Sequence, residues 1–142
     1  MQYHFKIHKD VNMFWAECIE LPGCFTQADN RKELLINMQE ALSLYIEEDV
    51  DSKDLAPLPK KIKSAKNIVK VSLEPQVAFA FLVRYWRFKY GLTQRQAARK
   101  MGFEKIYSYQ RLETRRCNPS LKTISMIKKV YPEFSLDLAI TI

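Results

Sequence analysis

The sequence predicts an α+β protein with a sheet-forming first half and a helical second half. Residues 2–8 alternate strictly, with Tyr3, Phe5 and Ile7 on one face and His4, Lys6 and His8 on the other, the period of a half-buried strand. From Leu34 to Tyr45, and again from Val77 to Tyr90, apolar residues recur at helical spacing. The charge also changes sign along the chain. Residues 1–55 carry 5 basic against 11 acidic side chains, a net −6, whereas residues 67–142 carry 14 against 5, a net +9. Lys60, Lys61, Lys63 and Lys66 lie between and bring the chain to +7. Such asymmetry suits two partners: phosphates for the basic half and a basic surface for the acidic half.

The first strand is followed by a turn at Lys9-Asp10-Val11-Asn12, and the aromatic-rich run Phe14 to Ile19 pairs back as a second strand. Leu21-Pro22-Gly23 signals a turn before a third strand, Cys24 to Ala28. Asn30 and Glu33 have capping-box spacing, and Leu34, Met38, Ala41, Leu42 and Tyr45 form the apolar face of a helix of about four turns. Residues 50–66, charged and broken by Pro57 and Pro59, read as a loop, and Ile68 to Leu73 as a strand joining the N-terminal sheet. The boundary then falls near Glu74-Pro75, dividing the chain into domains 1–74 and 75–142. Phe14 and Trp15 read as core residues, and His4 and His8 as ordinary surface histidines.

Pro75 suits the first turn of a helix, on which Ala78, Phe79, Leu82, Val83, Trp86 and Tyr90 share one side and Arg84, Arg87 and Lys89 lie elsewhere. Gly91 ends it. Thr93 caps a second helix, Gln94 to Met101, closed by Gly102; a third fits Lys105 to Arg115. A fourth starts at Asn118-Pro119-Ser120, with Leu121, Ile124, Ile127 and Val130 as its apolar face and Pro132 as its stop. The last eight residues, 135–142, alternate and read as a one-sided terminal strand in need of a partner.

Some function classes drop out. Cys18, Cys24 and Cys117 make an odd count with no CxxC spacing, which points to free thiols in a reducing cytoplasm. The N-terminus has no apolar signal segment, and no run approaches the ~20 apolar residues of a membrane span. Asp10, Glu17, Glu20 and Asp29 are scattered without metal-binding spacing, so no catalysis, metal or cofactor is expected.

The run Leu92-Thr93-Gln94, Ala98, Met101-Gly102, Tyr109, Leu112-Glu113 and Asn118-Pro119-Ser120-Leu121 resembles the helix-turn-helix of Xre/Cro-type repressors. Ala98 is small enough for two helices to cross closely, and Gly102 permits the turn between them. The resemblance implies that the third helix reads the major groove, with Lys105, Tyr107, Ser108, Gln110 and Arg111 towards base edges and flanking phosphates. Gln94 and Arg95 would serve at the start of the second helix, and Arg115 and Arg116 would reach the backbone. Gly102 to Glu113 is one residue longer than the common pattern, which leaves the register of the reading helix open by one position.

Tyr3-His4-Phe5, Phe14-Trp15-Ala16-Glu17, Leu21-Pro22-Gly23-Cys24, Thr26-Gln27, Glu40-Ala41-Leu42 and Asp54-Leu55-Ala56-Pro57-Leu58-Pro59, in this order, are similar to the HicB family of antitoxins. The likeness implies a partial RNase H-like β-β-β-α-β domain followed by a DNA-binding domain. It implies two partners: a HicA-type mRNA-cleaving ribonuclease toxin, which the chain neutralises, and operator DNA, through which it represses its own operon. Glu33, Glu40 and Glu47, seven residues apart, form one stripe off the apolar helix face and are the candidate toxin contacts, Glu40 first among them. A homodimer or higher oligomer is expected, with strand 135–142 as the candidate seam. The alternatives are a one-component regulator whose first domain senses a small molecule and a metal-dependent nuclease.

Overall fold

The computed structural model describes residues 1–47 and 55–141. They form two compact units, Met1–Leu73 joined by Thr141, and Glu74–Ile140. In the first, β1 (Gln2–Lys9), β2 (Phe14–Cys18), β3 (Phe25–Ala28) and β4 (Ile68–Ser72) make an antiparallel sheet in the order β3-β2-β1-β4. Helix α1 (Arg31–Glu47) packs over β2 and β3 and touches β4. Tyr3, Phe5 and Ile7 are buried on one sheet face, and Leu34, Met38 and Leu42 of α1 are fully buried with them. Asn30 starts the helix, its side-chain oxygen accepting from the Glu33 amide at 2.9 Å. Gly23, at φ +87°, makes the turn that brings the Cys18 amide to the Cys24 carbonyl at 2.8 Å. Of the expected loop 50–66, residues 50–54, with Asp54 of the proline motif, lie outside the described residues; residues 55–65 form neither helix nor strand.

The first unit corrects two expectations: Phe14 and Trp15, expected in the core, are half-buried, and His4 does not lie at the surface. His4 is buried, its amide and Nδ1 lying 3.0 and 2.6 Å from the two carboxylate oxygens of Glu20, itself buried. Alternation assigns a residue to a sheet face but does not say what covers that face; here the segment after β2 supplies a carboxylate that does. His8 stays part-exposed and stacks on Trp15, ring centroids 3.9 Å apart.

The second unit is built around α2 (Pro75–Lys89), followed by α3 (Gln94–Lys100), α4 (Ile106–Gln110), a 3-10 turn (Arg111–Glu113), α5 (Leu121–Val130) and α6 (Leu136–Ile140). Every residue of α2 from Val77 to Val83 is buried. Arg84 and Arg87, expected off the apolar side, are buried too, because α2 is packed round by α6 and the 3-10 turn and has little solvent face left. Aromatic and ionic partners take up the charges: Arg84 lies 5.7 Å from the centre of the Phe81 ring, and Arg87 pairs with Glu113.

Three further features differ from expectation. The third helix is α-helical only over Ile106–Gln110; tightening into a 3-10 turn carries Leu112 and Glu113 inward before Thr114 breaks to extended backbone. Helix α5 follows Asn118-Pro119-Ser120 as expected, with Ser120 as its cap, but Leu121 in its first turn is 84% exposed and Ile127 is the fully buried member of the expected apolar set. The terminal strand 135–142 is instead helix α6, started by Ser135, whose hydroxyl accepts from the Leu138 amide at 3.1 Å, and packed on α2 through buried Ala139. The helical unit offers no sheet edge, so this segment satisfies its backbone locally. Ile142 lies outside the described residues.

Candidate nucleic-acid and protein interfaces

The α3–α4 pair is organised by its caps. Thr93 Oγ1 accepts from the Gln96 amide at 3.1 Å while Gln96 Oε1 accepts from the Thr93 amide at 2.9 Å, a reciprocal capping box that starts α3 at Gln94. Ala97 and Ala98 are buried and let α4 approach closely. Gly102, at φ +78°, ends α3, and the amide of Phe103 returns to the Ala98 carbonyl at 2.9 Å. Below this turn, Tyr109 and Leu112 fill the core.

The carboxylate of Glu113, 2% exposed, is the polar centre of the unit. It accepts from Arg87 Nε and, at 3.2 Å, from Arg87 Nη2; from the Tyr109 hydroxyl at 2.9 Å; and from Gln94 Nε2 at 2.7 Å. Burial works against the Arg87 charge, but the hydrogen bonds and charge of Glu113 outweigh it and hold the guanidinium above its ordinary value. Burial first, and the Glu113 charge second, push the Tyr109 phenol far up. Sequence reasoning assigned no role to Arg87 and Glu113. The signal was present: Glu113 is the single acid between Glu104 and Glu133 in a strongly basic segment.

From this buried anion the hydrogen bonding runs outward. With its Nε2 committed to Glu113, Gln94 turns its Oε1 away, and that oxygen accepts from Nε2 of Gln110 at 3.1 Å. Gln94 is half-buried and Gln110 exposed. Lys105 precedes α4, its Nζ 5.8 Å from the centre of the Tyr107 ring, which is 62% exposed. Ser108 is half-buried, and Arg95, Arg111, Arg115 and Arg116 are exposed; Arg111 Nε donates to the Arg116 carbonyl at 3.1 Å. The structure thus joins Gln94 to Gln110, Lys105 to Tyr107 and Arg111 to Arg116. Arg95 lies on α3, and Arg115 in the segment after the 3-10 turn.

On α1, Glu33 and Glu40 are exposed and Glu47 half-buried, on the side turned from Leu34, Met38 and Leu42. Residues 3–72, the unit that carries this helix, match the model of the HicB-like antitoxin of bacterial toxin-antitoxin systems. A UPF0150 protein of Thermoplasma acidophilum is 46% identical over 48 residues, which cover 33% of this chain and 70% of that protein. A UPF0150 protein of Helicobacter pylori strain J99 is 40% identical over 55 residues, 39% of this chain and 75% of that protein. The chain belongs to the HicB-like antitoxin family. Membership implies a toxin partner and points to a regulatory role. The matched region of the antitoxin ends at Ser72, before α2 begins.

Among the described residues, the acids of this antitoxin domain do not converge. Glu20 is engaged by His4, and Glu17 Oε1 lies 3.4 Å from His8 Nε2. Among the described residues, no group of three or more His, Cys, Asp or Glu side chains is placed to hold a metal ion. Cys18, Cys24 and Cys117 are free and buried. No helix among the described residues is long and apolar enough to cross a membrane.

Proposed function

We propose that this antitoxin neutralises a HicA-type mRNA-cleaving ribonuclease through residues 1–74 and binds operator DNA through residues 75–142, repressing its own operon in the cytoplasm. The first unit is read as a partial RNase H-like domain and the second as an Xre/Cro-like helix-turn-helix domain. The reading is carried by one observation: an antitoxin-family unit whose residues 1–55 carry a net −6 is followed by a basic helical segment, net +9 over residues 75–142, that keeps Gln110, Lys105, Tyr107 and Arg111 at its surface while Tyr109 and Leu112 of the same stretch fill its core.

In this mechanism α4 enters the major groove. Lys105, Tyr107, Ser108, Gln110 and Arg111 face bases and flanking phosphates, Gln94 and Arg95 hold the backbone at the start of α3, and Arg115 and Arg116 add phosphate contacts. So short a reading helix spans few base pairs, so the chain acts as a homodimer or higher oligomer on paired half-sites. Glu33, Glu40 and Glu47 meet the cationic surface with which the toxin holds RNA.

The test is an RNA-cleavage assay of a HicA-type toxin with and without the full chain, alongside a mobility-shift assay on the duplex upstream of the chain's own reading frame. Suppressed cleavage and a specific shift are expected. Cleavage that continues at excess antitoxin overturns the first half of the reading, and a shift no different from that of random duplex overturns the second.

A further inference from the structure

We propose that the face of the antitoxin sheet turned away from α1 is a platform for single-stranded RNA, with bases held over β2 and β3 and phosphates over β1 and β4. This contact lies beyond the toxin and operator contacts proposed above. The sheet order β3-β2-β1-β4 and its register set the face out in rows. Phe25, Glu17, Lys6 and Ile68 form one row across the strands, and Gln27, Trp15 and His8 lie in the next. Continuing the β1–β4 register past Lys6 and Ile68 sets Lys66 beside His8, where the Ile7 amide still donates to the Asn67 carbonyl at 2.7 Å. Side chains two residues apart share a face, so Lys66, Ile68 and Lys70 line the outer side of β4 with Lys6 next to them.

The two halves of this face differ in chemistry. On the β3 and β2 side, Phe25 is 69% exposed, and half-buried Trp15 is stacked on His8. Trp15 and Phe25 line a cavity of about 410 Å³ together with Glu17 and Gln27. Aromatic rings beside an amide and a carboxylate suit a nucleobase, which has flat apolar faces and polar edges. On the β1 and β4 side, Lys6, Lys66 and Lys70 are exposed, and none of them forms an ion pair with an acid among the described residues. Lys66 and Lys70 stand about 13 Å apart at ~3.3 Å per residue, with Lys6 between them on the neighbouring strand. The three present a line of cations to a phosphate backbone.

The net −6 of residues 1–55 conceals this face. The four strands carry Lys6, Lys9 and Lys70 against Glu17 alone, whereas Glu33, Glu40 and Glu47 belong to α1 on the opposite layer. A second copy of the same face would set these lysines against one another. Duplex is disfavoured as well, because paired bases offer the aromatic rings no free face on which to stack. Glu17 engages His8 through Oε1, which leaves Oε2 to accept. That oxygen and the Gln27 amide favour RNA over DNA, since they accept from a 2′-hydroxyl that DNA lacks.

The experiment titrates the full chain against a short fluorescein-labelled single-stranded RNA of mixed sequence by fluorescence anisotropy, and maps the contact by photocrosslinking a thiouridine-substituted copy. Phe25→Ala, at an exposed position, is expected to weaken binding by about tenfold. Lys6→Gln, Lys66→Gln and Lys70→Gln together are expected to lower the slope of log K against log salt by about 2 units, at ~0.7 per phosphate on a single strand. Crosslinks are expected in the tryptic peptide 10–31, which holds both Trp15 and Phe25. Both variants should bind the duplex upstream of the chain's reading frame as the wild type does. A wild-type chain that does not bind the RNA overturns the proposal. So does a bound strand whose affinity neither variant alters and whose crosslinks fall within residues 75–142, where the basic helices would be holding it. Single-stranded DNA of the same sequence bound as tightly overturns the assignment to RNA. If Phe25→Ala leaves RNA binding unchanged and instead loosens a homodimer or a toxin complex, the occupant is a protein and the proposal falls.

Discussion

Four side-chain donors from three residues converge on the carboxylate of Glu113, which is why that residue governs both the stability of the helical unit and the pose of Gln94. Removing a buried acid leaves its cation uncompensated, and such losses run to about 3–5 kcal/mol, whereas an apolar replacement of both partners can be nearly neutral. Glu113→Ala is therefore expected to lower stability by about 3–5 kcal/mol in urea denaturation, and Arg87→Met with Glu113→Leu by clearly less. A double variant no more stable than Glu113→Ala would show that the pair, not the unpaired cation, sets the cost. The same centre dictates an alkaline limit. Burial raises the Tyr109 and Tyr131 phenols, and the Glu113 charge raises both further. A phenol that holds its proton longer in the folded state gives stability that is complete below its unfolded value near pH 10 and lost as pH rises beyond it. Denaturation midpoints should fall steeply above about pH 10, and Tyr109→Phe should flatten that fall even as it removes the bond to Glu113. Little of this network was legible in the sequence. Leu112-Glu113 was visible as part of a motif, but nothing in linear spacing brings residue 113 to residue 87.

At the scale of elements, helix α3 shows how far local chemistry reaches. Seven residues are too few for a helix to hold by propensity, so its ends do much of the work. Thr93→Ala breaks half of the capping box and is expected to cost about 1 kcal/mol, read as a shift of the urea midpoint at constant slope. At the other end, Gly102→Ala puts a side chain on a backbone at φ +78°; a Cβ there meets nothing within 4 Å, so the cost is conformational strain alone, about 1 kcal/mol. A loss much larger than that would mean that the turn itself had reorganised. Caps and periods of this kind made β1, β2, α1, α3 and the Ser120 start of α5 legible in advance. The terminal segment was not legible, for a reason of length: over Leu136 to Ile140, strict alternation of Leu136, Leu138 and Ile140 coexists with helical spacing between Leu136, Ala139 and Ile140. What decides is the neighbour, and α2 offers a helical surface rather than a strand edge. His4 fails in the same way, since its face was readable and the Glu20 that covers it was not.

For the whole molecule, the charge division carries the functional argument, and it was fully legible because charge sums need no fold. A net +7 chain that bound DNA through its overall field would answer to salt according to that net charge. A chain that binds through one surface should answer according to the phosphates which that surface neutralises, each released counterion contributing about −0.9 to the slope of log K against log salt. The proposed surface supplies Lys105, Arg111, Arg115 and Arg116, all exposed, and none of them is among the charges of the −6 N-terminal segment. Replacing these four with glutamine in the full chain is therefore expected to reduce the slope by about 3–4 units, close to one per contact, in a titration on the duplex upstream of its reading frame. Glu33→Gln, Glu40→Gln and Glu47→Gln together raise the net charge by nearly as much as the four replacements lower it. If binding were governed by the overall field, this second variant would steepen the salt response; if by the surface around α4, its slope should match the wild type. A quadruple variant that keeps the wild-type slope would remove the residues around α4 from the contact, and with them the assignment of DNA to the basic half.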